Sequence, residues 1–412
     1  MPKKKSKPKK KKPAAKVKKP KSRKPRVKAA RKKSSELRIS SRKRKKPKRG
    51  TIDAKTSRSI EGEAGGIHKD IVRWKKPTMR IPIRSLSNVR YNPTEGYFAL
   101  KRGRKERTLT YNTVKTFAQS LRMMAVAKEL IETDDIATKR EMYYISKNWE
   151  ECRFNEQPES DTVMDDIEAF FLVNREQLHF VPEEKGGDVA GRLIVIDQDP
   201  ATGKDIHIDC TKFGSGAYSV PTSVEGLKFE TKAKFILAIE TGGAFQRLVK
   251  HGYYKKANCI LVNMGGVPTR ACRRFIRRLS EAHKLPVYVF TDGDPYGYMN
   301  IYRTLKVGSG NAGHINKYFC VPWAKFLGVT PDDIKKYKLP THPLKDVDIK
   351  RIDDAIKNDP FVHHYKAWQN ALLKLKSMKV RVEQQAFAAH DLNMVVDTYL
   401  PEKLANKKAF LP

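Results

Sequence analysis

The sequence predicts a mixed α/β (α+β) chain behind a basic arm. Three observations carry this. Apolar residues recur at helical spacing through the first half. Short, fully apolar runs alternate with helical stretches through the second half. The first 50 residues hold almost no large apolar side chain. The 412 residues suggest two or three domains, and 39% hydrophobic content supports real cores.

Charge is spread unevenly. Residues 1–50 hold 27 Lys and Arg against one acid, Glu36, which leaves +26 there and +14 for the remainder of the +40 chain. Such a segment cannot bury enough surface to offset its ordering entropy, so a disordered basic arm is expected. Its natural partner is a polyanion, nucleic acid being the commonest. No apolar stretch follows the basic start and no apolar run reaches 18 residues. Neither a signal peptide nor a membrane span is therefore expected. Cys152, Cys210, Cys259, Cys272 and Cys320 are scattered with no C-x-x-C pair. That argues against structural zinc and disulfides, and fits a reducing compartment.

Residues 51–110 read as an N-terminal extension with strand-like pieces such as Met79–Ile83. From Leu109, the residues Val114, Phe117, Leu121 and Met124 mark a first helix. A second is expected to begin at Asp134-Asp135, acids that suit a helix N-terminus, and to run through Tyr144. A third is expected over Asp161–Asn174. Leu178–Val181, a turn at Gly186-Gly187 and Arg192–Ile196 then read as a β-hairpin. Three helices and a hairpin predict a winged-helix DNA-binding domain over residues 111–225.

From residue 226 the pattern changes. Ala233–Ile239, Asn258–Val262 and Val287–Phe290 are apolar strands. Ala244–His251 and Pro268–His283 between them are helical. The chain closes with helices over Asp346–Asn358 and His364–Ser377. Strand and helix in alternation predict a Rossmann-like parallel sheet over 226–412. Glu240 follows the first strand, and Asp292 and Asp294 follow the third. All three acids thus fall at the edge where open α/β sheets place ligands. Clustered carboxylates repel unless a cation neutralises them, and hard oxygens suit Mg²⁺. Arg270, Arg273, Arg274, Arg277 and Arg278 share one helix face, read either as a phosphate-facing stripe or as a solvated face. Trp74, Trp149, Trp323 and Trp368 read as packing residues, and the histidines as structural or solvated. No G-x-x-x-x-G-K-[ST] occurs, so no ATP is expected through a P-loop.

Glu240 in Ile-Glu-Thr and the run Val287–Gly297, with its Asp-Gly-Asp-Pro-Tyr-Gly, resemble the TOPRIM domain of the DNA topoisomerase VI A-subunit family. That family also contains the eukaryotic meiotic double-strand-break protein. Arg273-Arg274-Phe275, Ile301–Leu305, Leu327–Val329, Asp359–Phe361 and Tyr399–Leu404 fit as well. The resemblance spans roughly residues 70 to 405 and leaves the arm outside. The loop Asn263–Pro268 is Gly-rich as in the family but lacks the lysine of many relatives, and no role is assigned to it.

Arg140-Glu141-Met142-Tyr143-Tyr144 resembles the family's catalytic motif. The resemblance implies Tyr144 as the nucleophile and Arg140 as the motif arginine. Positions i and i+4 share a helix face, so both reach one phosphate. A phenol with a pKa of about 10 needs a guanidinium or a metal-bound phosphate to attack at neutral pH. Tyr143 is read as a core aromatic.

The resemblance further implies a 5′-phosphotyrosyl intermediate, Mg²⁺ on Glu240, Asp292 and Asp294, and a homodimer cutting double-stranded DNA. Each active site would combine the tyrosine of one protomer with the metal site of the other. ATP would act through a GHKL-type ATPase, the B-subunit of a heterotetramer. Glu240 remains either a metal ligand or a proton-transfer group. The expected setting is the cytoplasm of a cell without a nucleus, or the nucleus of a eukaryote. The rivals are a meiotic-type break-maker that does not routinely reseal, a non-catalytic basic DNA-binding protein, and another TOPRIM enzyme such as a primase or nuclease.

Overall fold

The computed structural model describes residues 51–182, 185–199 and 201–412; the arm expected over 1–50 lies outside the described residues. Helix α1 (Thr51–Val72) opens the described chain. Strand β1 (Thr78–Pro82) follows, then β2 (Val89–Asn92), β3 (Tyr97–Leu100) and β4 (Arg104–Thr108). β1 pairs antiparallel with β4, and β2 with β3.

Helix α2 (Val114–Thr133) presents Phe117, Met123, Met124, Ala127, Leu130 and Ile131 to a core shared with α1 and with a later helix, α4 (Gln157–Phe171). Of the residues that mark this helix in the sequence, Phe117 and Met124 are buried and Leu121 partly so, but Val114 is exposed. Asp134 does not start the next helix. It closes α2 as a left-handed C-cap at φ 55°, a conformation that Asp tolerates because its short side chain hydrogen-bonds locally. A short strand β5 (Ala137–Thr138) intervenes before α3 (Lys139–Ile145). Thr138 caps α3: its hydroxyl accepts from Glu141 N, and the Glu141 carboxylate accepts from Thr138 N. This reciprocal box is a stronger start signal than acids in the first turn. Helix α4 has a proline near its start and begins earlier than the Asp161–Asn174 expected.

The expected hairpin does not form. Phe180–Val181, β6, pairs parallel with β5. Gly186-Gly187 leads into β7 (Asp188–Gly191), which joins a different sheet. Leu193–Gln198, β8, pairs antiparallel with β9 (Asp205–Asp209) and β11 (Lys228–Thr231) in a three-stranded sheet. The three helices are present, but residues 178–196 do not supply the wing. The backbone at Gly187 (φ 96°) lies so close to Asn263 O that a Cβ would sit 2.4 Å from it. The glycine therefore serves β7's close packing rather than a hairpin turn.

The second half meets the sequence expectation closely. β10 (Tyr218–Ser219), β12 (Phe235–Ile239), β13 (Cys259–Asn263), β14 (Val287–Phe290) and β15 (Lys325–Gly328) build a six-stranded sheet with β7, in the order β10-β7-β13-β12-β14-β15. The β13-β12-β14-β15 part is parallel. Crossovers run through α5 (Gly242–Lys250), α6 (Tyr253–Lys256) and α7 (Arg270–His283). Every residue of β12 and β14 is buried. Burial on both faces is why these strands read as continuous apolar runs. Helices over Asp346–Asn358 and Lys366–Met378 pack at the C-terminal side, and Trp368 is fully buried. Among the described residues no helix is long and apolar enough to cross a membrane.

Candidate active site

β12 and β14 are adjacent and parallel, with Ile239 opposite Phe290. The residues that follow therefore emerge side by side. Glu240 N donates to Phe290 O at 3.0 Å, which extends the pairing by one residue. The Glu240 carboxylate then accepts from Asp292 N at 2.9 Å. Asp292 accepts from Gln384 N at 2.8 Å, and Asp294 accepts from Gly297 N at 2.6 Å. Gly293 separates the two aspartates because there is no room for a side chain. A Cβ there would lie 2.5 Å from Val382 Cγ1.

Burial, reinforced by the charges of Asp292 and Asp294, pushes Glu240 up to about 8. Burial, with Asp294 and Glu383 beside it, raises Asp292 to about 6. Asp294 is also raised by burial, and Arg381 and Arg351 pull in the opposite direction. These acids share a desolvated space and compete for the right to be charged. A divalent cation would resolve that competition.

Among the described residues no group of three His, Cys, Asp or Glu is arranged to hold a metal ion. The donor set fits Mg²⁺ nevertheless. That ion takes one or two carboxylates and completes its shell with water and substrate phosphate, rather than sitting in an all-protein cage. Glu240 and Asp292 are the pair joined most directly, through the Asp292 amide.

Tyr144 sits on α3, 56% exposed, and its ring meets Tyr143 edge-on at 5.5 Å. No hydrogen bond engages its hydroxyl among the described residues. Tyr143 differs. Its hydroxyl donates to Asn155 O at 3.0 Å, and Lys147 lies over its ring at 4.1 Å. Arg140 is exposed, one turn before Tyr144 on α3. No hydrogen bond, ion pair or ring contact joins Arg140 or Tyr144 to Glu240, Asp292 or Asp294 among the described residues. The chain brings the three acids together and leaves the tyrosine on a separate element, packed against α4 and β5.

The arginine face is neither a free phosphate-facing stripe nor a solvated face. Arg270 makes a bidentate bond to Glu168 on α4, at 2.5 and 2.9 Å. Arg273 is buried beside Phe319. Arg274 holds Glu225 bidentately and also Tyr318 O. Arg277 holds Glu281 and Cys320 O, and Arg278 donates to Val224 O and Leu227 O. The guanidiniums are spent on carboxylates and carbonyls that no local sequence pattern reveals.

Two residues escape sequence reasoning. Gln384 bridges the acid loops: its amide nitrogen donates to Phe290 O at 3.0 Å, and its Oε1 accepts from Thr241 at 2.9 Å. It lies far along the chain from both, and a lone Gln carries no signal. Glu168 is fully buried and binds both Arg270 and the backbone of Arg175. Its position in an apolar helical face, in Ile-Glu-Ala-Phe-Phe, is the one available clue. Trp149 and Trp368 are buried as expected, but Trp74 is 97% exposed.

Comparison with known proteins gives matches over most of the chain. Residues 115–180 match the family described as "Type IIB DNA topoisomerase". Residues 183–233 match "All-beta domain in DNA topoisomerase VI alpha subunit". Residues 235–404 match the Toprim domain of the topoisomerase 6 A-subunit and Spo11. The type 2 DNA topoisomerase 6 A-subunit of Methanocaldococcus jannaschii is 53% identical over 346 residues, which cover 84% of this chain and 93% of that one. The protein of the same name from Methanothermobacter thermautotrophicus is 37% identical, covering 81% and 93%. That from Haloarcula marismortui is 36% identical, covering 80% and 89%.

Proposed function

Because the chain belongs to the topoisomerase VI A-subunit family, we propose that it is the DNA-cleaving subunit of an ATP-dependent type IIB topoisomerase. The observation that carries this is that one chain holds both an exposed tyrosine, one turn from Arg140, whose hydroxyl is unengaged among the described residues, and a buried strand-end acid cluster. Tyr144 Oη attacks a backbone phosphorus. A bond forms between Oη and phosphorus, and the bond to O3′ breaks. The phenol gives up its proton as that bond forms, the 3′ oxygen takes one up and leaves as a hydroxyl, and the 5′ end stays on the tyrosine. One phosphodiester replaces another, so resealing needs no outside energy. Arg140, on the same helix face, orients and neutralises the phosphate.

Mg²⁺, held by Glu240 and Asp292 with Asp294 beside them, would supply charge neutralisation at the reacting phosphate or its neighbour. Asp292 N and Gly297 N each hold one carboxylate in place, and Gln384 ties the two acid loops together. One tyrosine cuts one strand, so a double-strand break needs a homodimer, and two-fold symmetry suits the duplex. That no hydrogen bond, ion pair or ring contact joins Tyr144 to the acids among the described residues supports a site completed by the partner protomer. Strand passage would use ATP on a GHKL-type B-subunit. The archaeal relatives support action on cytoplasmic, nucleoid-associated DNA.

The test compares wild type with Tyr144→Phe on supercoiled DNA with Mg²⁺, ATP and the ATPase partner. Wild type should relax the DNA and leave protein-linked 5′ ends in detergent, and the Phe variant should do neither. Linked ends from the Phe variant would overturn the assignment. Wild type that cleaves without relaxing would favour a break-maker of the meiotic type.

A further inference from the structure

Two large aromatics stand almost wholly in solvent: Trp74 at 97% exposure and Tyr111 at 95%. Single exposed apolar residues are ordinary; these two share a location. Trp74 lies just past the end of α1, ahead of β1, and Tyr111 lies just beyond β4. β1 and β4 are paired, with Thr78 opposite Thr108, and Leu109 N donates to Pro77 O at 3.0 Å. The two aromatics thus leave the same end of one strand pair. Trp74 has a left-handed backbone, φ 55°, where helix ends favour glycine. The helix end therefore does not account for a tryptophan, and its side chain packs on nothing among the described residues.

The surroundings are cationic. Arg73, Lys75, Lys76 and Lys115 are exposed, and none has an ion-pair partner among the described residues. Tyr111 and Lys115 flank the start of α2. Exposed aromatics among unpaired cations suit a nucleic acid: flat rings stack on bases or wedge into base steps, and the cations meet phosphates.

We propose that Trp74 and Tyr111 form an aromatic wedge that seats against double-stranded DNA, with Arg73, Lys75, Lys76 and Lys115 on the adjoining phosphates. This rests on the reading of the chain as a DNA-cleaving subunit and adds a contact remote from its chemistry.

The experiment measures binding of the full chain to a labelled duplex without Mg²⁺, across a salt series. Trp74→Ala/Tyr111→Ala should weaken binding about 10-fold or more with an unchanged salt slope, because no phosphate contact is lost. Trp74→Phe/Tyr111→Phe should retain most of the affinity. Lys75→Ala/Lys76→Ala should flatten the slope by about 1.8, two phosphates' worth. The double Ala variant binding DNA like wild type overturns the wedge. So does a variant that keeps DNA affinity but loses association with the ATPase partner, which would make the patch a protein interface. Wild type that binds no duplex at all would instead sink the DNA-cleaving reading itself.

Discussion

Glu168 is the residue on which the junction of α4 and α7 turns. Burial by itself would raise its carboxyl. The Arg270 guanidinium, with His314 at 3.5 Å and Arg175 nearby, reverses this and holds it well below the usual carboxylate range. Removing one partner of such a pair leaves a charge stranded in low dielectric. Glu168→Ala should therefore cost about 3–5 kcal/mol near neutral pH, measured by denaturant unfolding. The sign of its pH dependence is fixed. A carboxyl depressed in the folded state adds stability above its unfolded pKa of about 4.3, and that stability is lost as pH falls. The gap between variant and wild type should narrow as pH drops from about 6 toward about 3. A gap that stays constant would show that packing, and not charge, is what Glu168 contributes. Asp166, on the same helix, repeats the arrangement. Burial would raise it, but Lys105, Arg84 and Arg107 converge on it and hold it below its ordinary value.

Helix α3 is the element that presents the tyrosine, and it is short. Seven residues cannot hold a helix by propensity alone. Its stability comes from the Thr138–Glu141 box and from packing on α4. Thr138→Ala should cost about 0.5–2 kcal/mol, seen as a lower denaturant midpoint at constant slope. A midpoint unchanged from wild type would mean that packing alone fixes the helix. The element also shows where sequence reading stops short. Thr138-x-x-Glu141 is a capping box in plain view, but the acids at 134–135 suggest an earlier boundary. The strands of the parallel sheet are legible because burial on both faces leaves a run with no polar interruption. The misplaced hairpin has a different cause. β6 pairs with β5 and β7 with β13, both partners distant in sequence, and alternation within a strand says nothing about which strand lies beside it.

Across the full chain the dominant quantity is charge. Most of the +40 lies in residues 1–50. Lys and Arg that neutralise phosphates release counterions, so the salt slope of DNA binding counts them. Deleting residues 1–50 should weaken duplex binding and flatten that slope, and an unchanged slope would show that the arm makes no phosphate contact. The described residues behave otherwise. Much of its basic charge is consumed internally, as the α7 arginines demonstrate, so composition overstates its free positive surface.

The candidate site residues of this chain are already legible in the order of its residues. A tyrosine four residues after an arginine on a helix, and acids after apolar strands, are local patterns. Local patterns survive without knowledge of the fold, because helix period and strand burial are expressed in neighbouring residues. Which charges are free was settled by folding in three dimensions. Folding paired Arg270 with Glu168 and fixed Gln384 between the acid loops. Each of these joins residues far apart along the chain. Their interaction depends on distance in space, which no spacing in the sequence encodes.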